Sequence, residues 1–103
     1  MFIALYEMIA KKGFEQEFEK SWGEVTEAIH RVRGSLGSRL HTTEINGTYI
    51  AYAQWPSKEL FDSGIGVELF TIEESNSLNM MNENSLQIKL LHSMNVCDDR
   101  LKK

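Results

Sequence analysis

Residues 46–57, Asn-Gly-Thr-Tyr-Ile-Ala-Tyr-Ala-Gln-Trp-Pro-Ser, constrain the fold more than any other stretch of the chain. Asn46-Gly47 tolerates the positive φ angles of a two-residue type I′ turn, so the flanking segments are expected to pair as antiparallel strands. After the turn, Tyr49, Ala51, Ala53 and Trp55 alternate with Ile50, Tyr52 and Gln54, which sends the two sets to opposite faces of a sheet. Two alanines between two large aromatics leave room in a layer that bigger side chains would fill. The gap floored by Ala51 and Ala53, and walled by Tyr49 and Trp55, is the expected pocket. Pro56-Ser57 then ends the strand and opens a helix with Ser57 as its cap.

Upstream, Phe2 to Ile9 is apolar on both alternating sets, with Glu7 its only charge, and reads as a central strand. Lys11-Lys12-Gly13 ends it. Phe14, Phe18, Trp22, Val25, Ile29 and Val32 then recur at steps of three and four, the stripe of an amphipathic helix. Acidic residues in its first turn and Arg31 and Arg33 in its last suit the helix dipole, and Gly34 is a natural stop. Leu36 to Thr43 supplies the partner strand of the hairpin.

Downstream, Leu60 and Phe61 form one apolar turn before Gly64-Ile65-Gly66 interrupts, and a weakly amphipathic helix is expected from Val67 to Met81. Leu86 to Cys97 alternates Ile88, Leu90, His92, Met94 and Val96 against Gln87, Lys89, Leu91, Ser93 and Asn95, a half-buried strand followed by a charged tail.

The order β-α-β-β-α-β predicts an α+β, ferredoxin-like fold, an antiparallel four-stranded sheet with both helices on one face. The other face then needs cover, because large apolar patches rarely stay wet, and a homodimer stacking two sheets supplies it. A chain of 103 residues makes one domain spanning 1–103, small for a roomy internal site. Its net charge of −4, from 11 basic against 15 acidic residues, argues against a phosphate-backbone binder. The lone Cys97 cannot form an intramolecular disulfide, and the apolar run at Met1–Glu7 is too short for a signal or membrane span. A cytoplasmic protein with no membrane partner is expected.

Three pieces of the chain resemble the antibiotic biosynthesis monooxygenase family of dimeric α+β barrels. They are Lys12-Gly13 followed by Phe18 and Trp22, Gly34-Ser35-Leu36-Gly37-Ser38-Arg39-Leu40-His41, and Tyr52-Ala53-Gln54-Trp55-Pro56-Ser57. The resemblance implies a homodimer with a pocket between sheet and helices in each subunit. It implies monooxygenase chemistry using O₂ on a small aromatic, quinol-like or quinone-like molecule without metal or flavin, so no cofactor is expected. Haem-degrading members and members without known activity share the family. Trp55 matches the tryptophan that lines the pocket of oxygenase members. Ala51 and Phe61 stand where such members can carry an asparagine and a tyrosine, and they join Trp55, Tyr49 and Ala53 as the expected substrate-binding set. Tyr6 stands where haem-degrading members carry an asparagine. The histidine that ligates iron on their second helix has no counterpart here, since residues 57–85 contain no histidine.

Two residues are candidate catalytic groups. His92, among Ile88, Leu90, Met94 and Val96, is a base titrating near neutrality if its face lines the pocket; a buried histidine satisfied by one hydrogen bond is the plainer reading. Tyr6 brings a phenol from the first strand and would orient the substrate with Trp55. Trp55 serves equally well as plain core, and Tyr49 as a cross-strand packing residue. His30, His41 and His92 lack metal-ligand spacing and no cysteine cluster joins them, so no metal site is expected. The element order also fits RNA-recognition motifs, but Gly47-Thr48-Tyr49-Ile50-Ala51-Tyr52 lacks their preceding basic residue, and no nucleic-acid partner is expected. A non-catalytic dimeric small-molecule-binding protein of the same fold is the alternative to the enzyme.

Overall fold

The computed structural model describes residues 1–64 and 66–102. Of the expected features, Ile65 in the interruption and Lys103 in the tail lie outside the described residues. The strands are β1 (Phe2–Ala10), β2 (Ser38–Thr42), β3 (Thr48–Trp55) and β4 (Ser85–Asn95); the helices are α1 (Glu15–Arg33), α2 (Lys58–Asp62) and α3 (Ile72–Glu83). All strand pairs are antiparallel, in the order β2-β3-β1-β4, with the helices on one face: the expected ferredoxin-like α+β arrangement.

Register assigns the two faces. Tyr49, Ala51, Ala53 and Trp55 lie opposite Met8, Tyr6, Ala4 and Phe2, and this set faces the helices. The buried members split into two clusters. One gathers Met8, Phe18, Val25, Tyr49, Ala51 and Met81; the other gathers Phe2, Ala4, Ala53 and Trp55. Tyr6 and Ile29 pack against both clusters and bridge them. The opposite sheet face, with Ile3, Leu5, Ile50, Tyr52 and Gln54, carries no helix.

Helix α1 buries Phe18, Ser21, Val25 and Ala28, close to the predicted stripe, while Phe14 falls at the N-cap and is exposed. Gly34 ends it in the left-handed region at φ 73°, donating its N–H to the His30 carbonyl. Ser57 caps α2 by accepting from the Leu60 amide, as expected.

Four local features depart from the sequence reading. The β2–β3 connection is five residues long, Thr43–Gly47, and not a two-residue type I′ turn. Only Gly47 has positive φ (83°), whereas a type I′ turn needs it at Asn46 as well. The Thr43 hydroxyl donates to the Thr48 carbonyl at 2.9 Å and braces the longer loop. At the start of β2, Leu36 and Gly37 both bond Gln54, so the regular strand begins at Ser38.

The second long helix begins at Ile72, not Val67, because Phe70 is extended and Thr71 starts a capping box. The Thr71 hydroxyl accepts from the Glu74 amide at 3.1 Å, and the Glu74 carboxylate accepts from the Thr71 amide at 2.8 Å. Val67–Leu69 is a single 3₁₀ turn.

The fourth departure has the largest consequence. Tyr6 pairs with Leu90 but Leu5 pairs with His92, leaving Leu91 as the extra residue of a β-bulge. Every side chain of β4 beyond it changes face relative to simple alternation. Ile88 and Leu90 stay on the helix side, while His92 and Met94 turn to the open side beside Leu5 and Ile3.

Thr71→Ala removes the α3 cap and is expected to lower stability by about 1 kcal/mol. Urea unfolding checks this as a lower midpoint at unchanged slope.

Candidate functional site

Between the two core clusters lies a cavity of about 400 Å³, within the range of small-molecule sites. Its floor crosses the sheet obliquely, from Ser38 on β2, over Ala51 and Ala53 on β3, to Tyr6 and Met8 on β1 and Ile88 on β4. The roof comes from α1 through Trp22, Val25, Thr26 and Ile29, and from α3 through Leu78, Met81 and Asn82. Trp55 and Phe61 close one end, with ring centroids 5.8 Å apart in an edge-to-face pair. Phe61 also packs against Phe2 at 5.3 Å, which fixes the α2 turn to the edge of the sheet core.

The space follows from side-chain volume on β3. Tyr49 and Trp55 hold the helical layer away from the sheet at the two ends of the strand, and the methyl groups of Ala51 and Ala53 leave the middle unfilled. Five of the expected site residues therefore meet in one cavity: Tyr6, Ala51, Ala53, Trp55 and Phe61.

Two do not. Tyr49 packs against Phe18 at 5.2 Å, and its hydroxyl donates to a Glu19 carboxylate oxygen at 2.6 Å. Burial and this acceptor push its pKa up to about 12. Tyr49 is a pillar behind the cavity and not one of its walls. His92 sits on the far side of the sheet because of the Leu91 bulge, so it does not share the face of Ile88 and Leu90 as alternation predicts. From there it reaches neither the cavity nor anything bound in it.

The other histidines are also elsewhere: His30 is bonded to the Ser35 carbonyl, and His41 to the Ile50 carbonyl at 3.1 Å. Among the described residues no group of three or more His, Cys, Asp or Glu side chains is placed to hold a metal ion. No described helix is long and apolar enough to cross a membrane.

The polar groups of the cavity are few and uncharged. Tyr6, Thr26, Ser35, Ser38 and Asn82 supply hydroxyls and one amide; among the described lining residues there is no carboxylate, imidazole, amine, guanidinium or thiol. Burial alone raises the pKa of Tyr6 above its ordinary value of 10.0, so the phenol stays protonated throughout the neutral range. At neutral pH it is a hydrogen-bond donor and not a base. Trp22, Val25 and Ile29 were legible as a helical stripe, but Thr26 and Asn82 carry no signal in sequence. Each is a small polar residue on a helix flank, recognisable only once both helices are laid over the sheet.

Residues 1–63 match the antibiotic biosynthesis monooxygenase model, and the chain belongs to that family. Three solved structures show how closely the fold is shared. A candidate antibiotic biosynthesis monooxygenase from Bordetella bronchiseptica superposes with a TM-score of 0.73 at 15% identity, covering 92% of this chain and 95% of that one. A variant of SnoaB, a cofactor-independent oxygenase from Streptomyces nogalater, gives 0.67 at 14% identity and 95% coverage of both chains. A variant of MhuD, with two manganese protoporphyrin IX molecules bound per active site, gives 0.72 at 19% identity, covering 99% of this chain and 100% of that one. At these identities the likeness is one of fold. No curated protein matches the sequence.

Tyr49→Phe removes the bond to Glu19 and is expected to cost about 1 kcal/mol without emptying the core. The raised pKa adds a sign. The folded state holds the Tyr49 proton more tightly than the unfolded chain, so this stabilisation is complete below pH 10.0 and is lost as pH rises from there through about 12. Unfolding midpoints of the wild type should therefore fall more steeply over that window than those of Tyr49→Phe.

Proposed function

We propose that the protein is a cofactor-independent monooxygenase acting on a small aromatic or quinol-like substrate held between the sheet and helices α1 and α3. The observation that carries this reading is the cavity itself. It is walled by Trp22, Trp55 and Phe61, and holds the protonated Tyr6 phenol in a floor whose other polar group is Ser38. Family membership supports the reaction class.

With no base among the described lining residues, the chemistry rests on the acidity of the substrate. The substrate releases a proton to solvent and becomes an electron-rich anion. Among the neutral donors of the lining, the Tyr6 hydroxyl on the floor and the Asn82 amide in the roof can donate hydrogen bonds to the developing oxyanion. The anion transfers electrons to O₂, a carbon–oxygen bond forms, and the resulting peroxide breaks its O–O bond. The substrate has then lost two hydrogens and gained one oxygen atom, and the second oxygen leaves as water. The aromatic walls orient the ring and exclude bulk water from the reacting carbon. His92 has no part in this scheme.

Oxygen uptake with dihydroquinone and polyphenol substrates tests the reading. Tyr6→Phe keeps the volume of the site and is expected to lower kcat by about 100-fold, the usual effect of losing one oxyanion donor. Wild-type activity should follow the substrate's ionisation as pH rises, then fall above pH 10.0 as Tyr6 loses its proton. The fall should be absent in Tyr6→Phe. No oxygen uptake on any such substrate would remove the reading.

Ala51 and Phe61 favour a second reading. Both are apolar where oxygenase-type sites place hydrogen-bonding groups, and a non-catalytic binding protein needs neither base nor donor. A ligand that raises Tm and is recovered unchanged would support it.

The homodimer belongs to the same proposal. The helix-free sheet face carries Leu5, Ile50, Tyr52 and Met94, half-buried or exposed in the single chain, an apolar surface that a second copy would cover. Leu5 lies centrally, flanked by Tyr52 and His92. Sedimentation is expected to show a dimer for the wild type and a monomer for Leu5→Asp; a monomeric wild type at micromolar concentration would sink the idea. A cytoplasmic location is part of the same proposal, supported by the lone Cys97, which has no partner for an intramolecular disulfide.

A further inference from the structure

The cavity is polar enough to orient a ligand, yet its described lining residues carry no charge. Its described hydrogen-bonding groups, Tyr6, Thr26, Ser35, Ser38 and Asn82, are all neutral. None of the charged side chains of the surrounding elements is among the described lining residues. Glu19 accepts from Tyr49, Glu24 accepts from Ser77 at the α1–α3 seam, and Arg31 is tied to Glu74. The whole chain carries a net charge of −4.

We infer that this site selects ligands by charge: its substrate is an uncharged hydroxylated aromatic, without carboxylate, sulfate or phosphate groups. The inference rests on the reading of the cavity as the substrate site. A localised anion moved from water into this cavity loses its hydration and meets no cation in return, a penalty of several kcal/mol. The charge that develops during oxidation is different. It is spread over an aromatic ring and can be met by the Tyr6 and Asn82 donors, whereas a carboxylate substituent adds a second, fixed charge that only neutral donors can meet. A cationic ligand gains from the aromatic walls but must also shed its hydration, and no carboxylate among the described lining residues is there to pair with it.

Four matched probes test the inference: a naphthol, the corresponding hydroxynaphthoic acid at neutral pH, its primary carboxamide, and an aminomethyl naphthol. Trp22 and Trp55 are the only tryptophans in the chain and both line the cavity, so quenching of their fluorescence reports binding directly, with no need for turnover. The naphthol and the carboxamide are expected to bind with similar Kd, and the carboxylate about 100-fold more weakly, each tenfold being about 1.4 kcal/mol. The aminomethyl compound should also be weaker than the naphthol.

Equal or tighter binding of the carboxylate overturns the inference, as does tighter binding of the cation. Loss of the carboxamide together with the carboxylate also overturns it, since size and not charge would then be the cause. In Thr26→Lys, which places a cation in the roof, the carboxylate should recover at least tenfold relative to the naphthol; no recovery counts against charge as the cause. The two readings fail separately. Charge selection without oxygen uptake removes the enzyme but keeps the inference, and oxygen uptake without charge selection does the reverse. Absence of quenching by all four probes removes both.

Discussion

The structure depends on a mismatch of side-chain volume along β3. Tyr49 and Trp55 stand at the ends of its helix-facing row, and Ala51 and Ala53 lie between them. Close packing is the rule inside proteins, so a gap persists only where something prevents the layers from collapsing. Here the props are aromatic. Tyr49 stacks on Phe18 and is tied to Glu19, while Trp55 and Phe61 meet edge to face at the other end. The core is accordingly two clusters with a cavity between them, bridged by Tyr6 and Ile29. Filling the gap with larger side chains would unite the clusters and abolish the site.

A second constraint sets what chemistry is available there. The bulge at Leu91 reverses the faces of β4, so the one histidine on that strand is delivered to the open side of the sheet. Bulges re-aim side chains without disturbing the rest of the ladder. The cavity is left with neutral donors and aromatic walls, and a raised Tyr6 pKa strengthens that character by keeping the phenol protonated. A site of this kind offers hydrogen-bond donors and aromatic surface, with no base among its described lining residues. The family resemblance and the local chemistry thus speak to different questions. Membership defines the scaffold, whereas Ala51, Phe61 and the neutral described lining residues define the surface that the cavity offers.

Much of this was legible in the chain. The alternation at residues 48–55, the stripe Phe18, Trp22, Val25 and Ile29, the Gly34 stop and the Ser57 cap each rest on short-range rules, and each appears where those rules put it. The α3 boundary was also legible in principle, since Thr71-Ile72-Glu73-Glu74 has the capping-box pattern; the apolar residues at Val67 and Phe70 masked it by suggesting an earlier start. The Asn46-Gly47 turn misled in the opposite direction. Its residues fit a tight hairpin, but the Thr43 hydroxyl stabilises a longer loop by satisfying backbone groups that the tight turn would have paired.

Local sequence therefore determined the elements, their order, the face of β3 and the pocket floor, because period and volume are properties of neighbouring residues. Tertiary structure alone decided three things. It assigned Tyr49 to support and not to the wall, because its partners Phe18 and Glu19 lie some thirty residues away on α1. It brought Thr26 and Asn82 to the roof, since a helix's flanking residues meet a cavity only when two helices and a sheet are assembled. And it turned His92 away, because a bulge is fixed by the register between β1 and β4 and not by either strand alone.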